Sequence, residues 1–221
     1  MSVQLASIFA VPFGQSHLPD ADALNRELET LLLAREADPQ GRFRNANPSL
    51  RQQQGVFESE FDLFAWQDPC IRQLRAFCWS MLGDMIQQAN GYSKEELQRL
   101  EIFSHTWFHV TRQGGFTILH THPMASWSGV YCVSPGDTPE DRPESGVLRF
   151  HNPHGYSNTF MDPGNAHFKP PYHHGSWSMA LQAGQLVLFP SWLQHEVLPY
   201  YGERPRITVA FNCWFGTKRP G

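Results

Sequence analysis

The sequence predicts a mainly β barrel, sandwich or jelly roll preceded by α-helices, and two observations carry that prediction. Apolar residues recur at helical spacing only in the first hundred residues, whereas from Ile102 the chain breaks into short β-rich runs separated by Gly, Pro, Asp and Asn. The second observation is chemical: every histidine but His17, and five of the seven tryptophans, lie beyond residue 104. Any chemistry therefore belongs to the β-rich half. We expect one domain over residues 1–221, with an N-terminal strand and supporting helices in 1–101 and the barrel core in 102–216.

Taken in order, residues 3–13 carry Leu5, Ile8, Phe9, Val11 and Phe13 and read as a short strand ending at Pro12. Asp20 or Asp22 can cap a helix in which Leu24, Leu28, Leu31 and Leu32 form one apolar stripe until Asp38-Pro39 stops it. Residues 39–60 lack periodicity and read as a loop with one short strand near Val56 and Phe57. A second helix starts at Asp68-Pro69, where a proline's missing N–H costs nothing. It runs through Ile71, Leu74, Phe77, Cys78, Leu82, Met85 and Ile86 to Asn90-Gly91. Ser93 and Glu96 form a capping box for a short third helix over 93–100. Strands are then expected at 102–112, 116–120, 126–134, 146–151, 176–181, 185–190 and 205–215. Between them, 135–146 reads as a surface loop and 151–175 as a long irregular insertion of the kind that usually has a function.

The composition excludes several partners. Lys and Arg number 17 against 21 for Asp and Glu, a formal charge of -4 with no basic run, so neither nucleic acid nor an anionic membrane surface is expected. No run of about 18 apolar residues exists and the first residues lack a secretory pattern, which suits a cytoplasmic protein. Cys70, Cys78, Cys132 and Cys213 form no closely spaced pair. Cys70 and Cys78 would lie about 12 Å apart along a shared helix, too far to bridge, so buried, reduced thiols are expected. An uncovered edge strand in the N-terminal half could support a homodimer.

The sharpest motif is His120-Thr121-His122. Residues two apart in an extended chain point to one side, so both imidazoles can reach one metal ion, and Pro123 helps hold His122 out of the helical region. Further on, the apolar run from Gly184 to Pro190 is a buried strand, and His195 follows it. In residues 206–212, Ile207, Val209 and Phe211 face one way while Arg206, Thr208, Ala210 and Asn212 face the other. A guanidinium and a hydroxyl on one strand face suit a carboxylate. Arg206 could equally be a surface arginine at a strand entrance.

Together, HxH, His195 after another 73 residues, and Arg206-x-Thr208 eleven residues later resemble the non-haem Fe(II)- and 2-oxoglutarate-dependent oxygenases. More narrowly, the runs WFHVTRQGGFTILHTHPMASWSGVYCV, GQLVLFPSWLQHEVLP and RPRITVAFN are similar to a bacterial and phage group of such oxygenases. The likeness is strong over about residues 105–215 and looser before them. The resemblance implies a double-stranded β-helix of the jelly-roll, cupin-like kind. It makes His120 the first metal ligand and His195 the distal one, and has Arg206 with Thr208 bind the distal carboxylate of 2-oxoglutarate. Tyr131 becomes either a second donor to that carboxylate or a core tyrosine with a satisfied hydroxyl. Fe(II) is the implied metal and 2-oxoglutarate the cosubstrate. The implied reaction is hydroxylation of a small molecule or peptide side chain, coupled to oxidative decarboxylation of 2-oxoglutarate to succinate.

One position departs from the family pattern. A carboxylate usually stands two residues after the first histidine, and here that residue is His122. Three neutral imidazoles leave Fe(II) at a charge of +2, which dianionic 2-oxoglutarate would neutralise. Either His122 completes the site or a loop carboxylate such as Asp137 or Glu144 does. Two other classes stay open: a three-histidine dioxygenase or zinc hydrolase without cosubstrate, and a non-catalytic β-helix that binds a small ligand. Trp107, Trp127 and Trp192 read mainly as packing. His105 and His109 are core histidines or lie near the metal, and His151, His154, His167, His173 and His174 are unassigned.

Overall fold

The computed structural model describes residues 2–48, 54–154 and 160–218. Residues 49–53 of the 39–60 loop and 155–159 of the 151–175 insertion lie outside them. The three helices form where the sequence places them. The first, α1 (Ala21–Glu36), buries Leu24, Leu28 and Leu32. Asp20 occupies its N-cap at φ 52° but makes no side-chain cap bond, so the expected cap is not made through that carboxylate. Helix α2 (Pro69–Asn90) is closed by Gly91, which takes the left-handed conformation at φ 70° that favours glycine. Helix α3 (Lys94–Gln98) starts on the Ser93 and Glu96 capping box. Leu28, Leu32, Ile71, Leu74 and Leu82 have no exposure at all, each burial worth about 2 kcal/mol.

The strands are β1 (Gly14–His17), β2 (Gln54–Glu58), β3 (Leu100–His120), β4 (Trp127–Ser134), β5 (Leu148–His151), β6 (Ser176–Met179), β7 (Gln185–Pro190), β8 (His195–Val197) and β9 (Arg206–Thr217). They pair in the order β1-β7-β4-β9-β3-β8-β5-β6, with β2 also on β3. The key element is β3. Its first half, from Leu100 to Thr111, pairs with β9, and its end, from Thr117 to His120, pairs with β8. The two expected strands of this region are thus one strand that passes between two sheets. Gly114, at φ 80°, and Gly115 make the passage; a Cβ on Gly115 would come within 2.5 Å of the Gly55 carbonyl oxygen. The result is the curled antiparallel layout of a double-stranded β-helix.

Residues 3–13 do not form the expected strand. Val3, Leu5, Ile8 and Phe9 are exposed, and pairing begins only at Gly14, which meets Leu188 on β7. Continuing that register would set Pro12 against Pro190, and neither has an amide hydrogen for the ladder. Strand β8 is the other difference: His195 follows β7 as expected, and it also opens a further strand of three residues.

One face of the large sheet packs on the helices through Tyr131, Val133, Leu186, Leu188, Ile207, Val209 and Phe211. A second apolar group, including Cys132, Leu148, Phe150, Val187 and Phe189, lies on the opposite side. All four cysteines are buried and free. Among the described residues, no helix is long and apolar enough to cross a membrane.

Candidate active site

The antiparallel register of β3 and β8 sets His120 directly opposite His195. His122 follows two residues later, where the chain has left the strand, and its position is fixed by backbone. Its N–H donates to the Ser191 carbonyl at 2.8 Å, and the Ser191 N–H donates to the Ser126 carbonyl at 3.1 Å. The turn that leads into β8 is thereby laced to the loop after β3. The ring centroids of His120 and His195 lie 4.2 Å apart, those of His120 and His122 4.8 Å, and those of His122 and His195 5.2 Å. One nitrogen from each ring falls in a group whose members all lie within 4.8 Å of one another.

Two of the tautomers follow from hydrogen bonding. Nδ1 of His120 is 2.7 Å from the Ile118 carbonyl and Nδ1 of His195 is 2.8 Å from the Leu193 carbonyl. A carbonyl oxygen only accepts, so both Nδ1 atoms carry the proton and both Nε2 lone pairs are left for another partner. Burial pushes all three imidazoles below the usual histidine range, His122 to about 4 and His195 to about 3. They are neutral at pH 7, the state in which an imidazole binds a metal. The donor set, its burial and its tautomers fit a divalent transition metal.

At the other side of the same pocket stands Arg206, the first residue of β9. It is buried and forms no ion pair or side-chain hydrogen bond among the described residues. Burial lowers its pKa, yet a guanidinium does not give up its proton in a protein. A buried cation without an anion is costly, so this one fits a site that takes an anionic ligand. Thr208 lies two residues on along the same face, Thr111 is the cross-strand partner of Arg206, and Thr117 lines the pocket too. Three buried hydroxyls and a guanidinium suit the distal carboxylate of a dicarboxylic acid.

A model of the family described as "Putative 2OG-Fe(II) oxygenase" matches residues 105–212, the stretch holding all three histidines and Arg206. Over that stretch the chain matches the 2-oxoglutarate/Fe(II) oxygenases. Solved structures similar to the oxygenase include a prolyl-4-hydroxylase of Pseudomonas putida, 22% identical with a TM-score of 0.60 over 95% of this chain and 94% of that one. A prolyl hydroxylase of Trichoplax adhaerens, in complex with a hypoxia inducible factor peptide fragment, is 15% identical with a TM-score of 0.58, covering 92% and 83%. HygX of Streptomyces hygroscopicus, with nickel, 2-oxoglutarate and hygromycin B bound, is 13% identical with a TM-score of 0.56, covering 92% and 83%. At these identities the likeness establishes the double-stranded β-helix fold. A search of curated proteins finds no match.

In the oxygenase, Tyr131 does not belong to the pocket. It points to the helix side of β4, where its hydroxyl donates to Asn25 Oδ1 at 2.7 Å and its ring packs on Phe77. Period-two alternation is the cause: Val130 faces the pocket, so Tyr131 faces away. Asp137 is equally distant in role, since it accepts from the backbone N–H groups of Glu203 and Arg204 and ties down its own loop. Those bonds, the Arg204 one foremost, hold its carboxyl below the usual range. Glu144 is exposed. Neither joins the histidine group among the described residues.

Among the described residues, the acid that does line the pocket is Glu58 on β2, at the end of the short strand expected near Val56 and Phe57 but not itself expected in the site. It is buried opposite His109, whose Nε2 lies 3.0 Å from Glu58 Oε2, while Asn45 Nδ2 donates to Glu58 Oε1 at 2.9 Å. Trp107 Nε1 lies 3.1 Å from the same His109 nitrogen, and its ring reaches His122. His109 and Trp107 are therefore pocket residues, and His105, exposed and stacked on Phe61, is not. The signal for Glu58 was a charged residue in an inward position next to Phe57. The register of β2 on β3 was needed to see it.

Proposed function

We propose that the oxygenase holds Fe(II) through His120, His122 and His195, binds 2-oxoglutarate through Arg206 and Thr208, and hydroxylates a small molecule or a peptide side chain. The observation that carries this reading is the buried guanidinium of Arg206, without an acid partner among the described residues, in the pocket that the three imidazoles enter. Bound there, iron and 2-oxoglutarate supply oxygen activation, the keto acid being converted to succinate and carbon dioxide.

The chain's own residues bind, orient and exclude water. Ile118 and Leu193 hold the Nδ1 protons of His120 and His195 and so aim both Nε2 lone pairs. Arg206 forks onto the distal carboxylate, with Thr208 and Thr111 as hydroxyl donors. Val130, Leu148, Phe189 and Val197 form an apolar wall that keeps water from the reacting centre. The likeness to the Trichoplax enzyme with its peptide supports a peptide substrate, and the likeness to HygX with hygromycin B supports a small molecule.

The test is an anaerobic titration of the metal-free protein with Fe(II) and then 2-oxoglutarate, read as the visible charge-transfer band of a keto acid chelated to iron. The band is expected, and it weakens in Arg206→Ala. Iron binding without a band would instead establish a three-histidine site that works without cosubstrate.

A further inference from the structure

A cavity of about 590 Å³ lies beside the histidine cluster, walled by Val11, Phe13, Phe150, Phe168, Tyr172 and Trp177 among others. We infer that it takes a neutral, ring-bearing, largely apolar small molecule as the oxygenase's substrate. This deepens the proposed function and rests on it for the fate of that molecule. The volume is that of a small-ligand site. Among the described residues no Asp, Glu, Lys or Arg lines the cavity, so a charged ligand would lose its hydration and find no counter-charge there.

The walls reach the site directly. Phe13 packs edge-on against Trp177 at 4.7 Å and Phe150 at 5.1 Å. Phe150 is the register partner of His195, with the two rings 6.0 Å apart. Leu193, whose carbonyl holds His195 Nδ1, lines the cavity as well. Apolar exposure also concentrates at the rim: Ile8 is 76% exposed, Phe9 83% and Phe168 48%. Phe9 further sits at φ 56°, a strained conformation for an aromatic residue and one that clusters at ligand sites.

A small molecule suits the polar groups better than a peptide does. A peptide brings an amide N–H and C=O with every residue, and several cavity groups that could answer them are committed elsewhere. Asn152 Nδ2 donates to the His173 carbonyl, His151 Nε2 faces Glu196, and the Tyr172 hydroxyl meets Ser7 Oγ. His173 Nδ1 is different, being buried without a hydrogen-bond partner among the described residues. One ligand hydroxyl or ring nitrogen would answer it.

The test compares three probes of one shape on the metal-free full chain: 2-naphthol, 2-naphthoate and 2-naphthylmethylammonium, with dissociation constants from ligand-observed NMR. The neutral probe is expected to bind at least about tenfold more tightly than either ion. Trp177→Ala and Val11→Asp each weaken it about tenfold, and Arg206→Ala leaves it unchanged. Equal or tighter binding of an ion, or indifference to both cavity variants, would overturn the inference. So would displacement of 2-naphthol by a proline-rich peptide of higher affinity, which would assign the cavity to peptides. Because no metal or cosubstrate is present, a failure here leaves the charge-transfer experiment standing, and the reverse also holds.

Discussion

The two faces of β9 are both buried, yet they are built for different ends. On one, Ile207, Val209, Phe211 and Cys213 have no exposure and pack into the group formed with the helices. On the other, Arg206 and Thr208 are nearly as buried, but they face a pocket, and the arginine has no acid partner among the described residues. Burial alone therefore does not tell a core position from a site position. What separates them is whether each group's needs are met within the chain. The apolar face meets its own, and the polar face waits for a ligand. Substitutions on the site side should therefore cost activity and spare stability, with the opposite result on the helix side.

The largest effect expected is on the site side. His195→Ala removes a residue that pairs with His120 and converges on the metal position. Succinate formation should fall at least about 10³-fold, roughly 4 kcal/mol of transition-state stabilisation, while far-ultraviolet circular dichroism keeps its shape. Residual activity within about tenfold of wild type would break the assignment. Next comes Phe211→Ala, on the helix side. The ring lies over Gly129, where an added Cβ would approach it to 2.2 Å, and it packs edge-on against Trp79. Its loss should lower unfolding free energy by about 3–5 kcal/mol in urea, with the KM for 2-oxoglutarate of the folded fraction unchanged.

Arg206→Met sharpens the contrast one residue from Ile207. It removes a fork of charge-assisted hydrogen bonds, so the KM for 2-oxoglutarate should rise about 100-fold, close to 3 kcal/mol. Stability without cosubstrate should stay within about 1 kcal/mol of wild type or increase, because a desolvated, unpaired cation has gone. A thermal shift on adding 2-oxoglutarate should appear in the wild type and vanish in the variant. A variant that unfolded readily in the absence of cosubstrate would show instead that Arg206 is a structural residue.

How much of this was legible in the sequence depends on what kind of information each feature needed. Local signals sufficed for the helices: the leucine stripe of α1, Pro69 at the start of α2, Gly91 at its end, and the Ser93 and Glu96 box of α3. Period-two alternation correctly sorted β9 into an apolar face and a face bearing Arg206 and Thr208. The spacing of His120, His122 and His195 carried the convergence, because strands of a β-helix bring distant residues opposite each other. What failed needed a partner. Residues 3–13 have strand composition, but the edge they would join stops at Pro190. Glu58 and His109 meet through the register of β2 on β3, which depends on the bulge at Gly114 and Gly115. Tyr131 stood between two readings, and the alternation that turns Val130 to the pocket puts it on the far face, as a core tyrosine with a satisfied hydroxyl.

Tyr131 also supplies the smallest and most discriminating comparison. Tyr131 and Thr208 lie on neighbouring strands of one sheet, and both offer a hydroxyl that could answer a carboxylate. The Tyr131 hydroxyl is spent on Asn25 Oδ1, and burial, the foremost influence, raises its pKa above the usual tyrosine value. Asn25 Nδ2 is already buried without a partner among the described residues, so Asn25 has no second bond to fall back on. Tyr131→Phe should therefore cost about 1–2 kcal/mol of stability, the penalty for leaving one buried acceptor unsatisfied. The KM for 2-oxoglutarate should not change. Thr208→Val, matched in shape, should do the reverse: it raises that KM by about tenfold, the worth of one hydrogen bond to a charged group, and leaves the urea midpoint nearly in place. Were the two variants to exchange these outcomes, β4 would be turned over relative to the pocket, and the division between the two faces would fail with it.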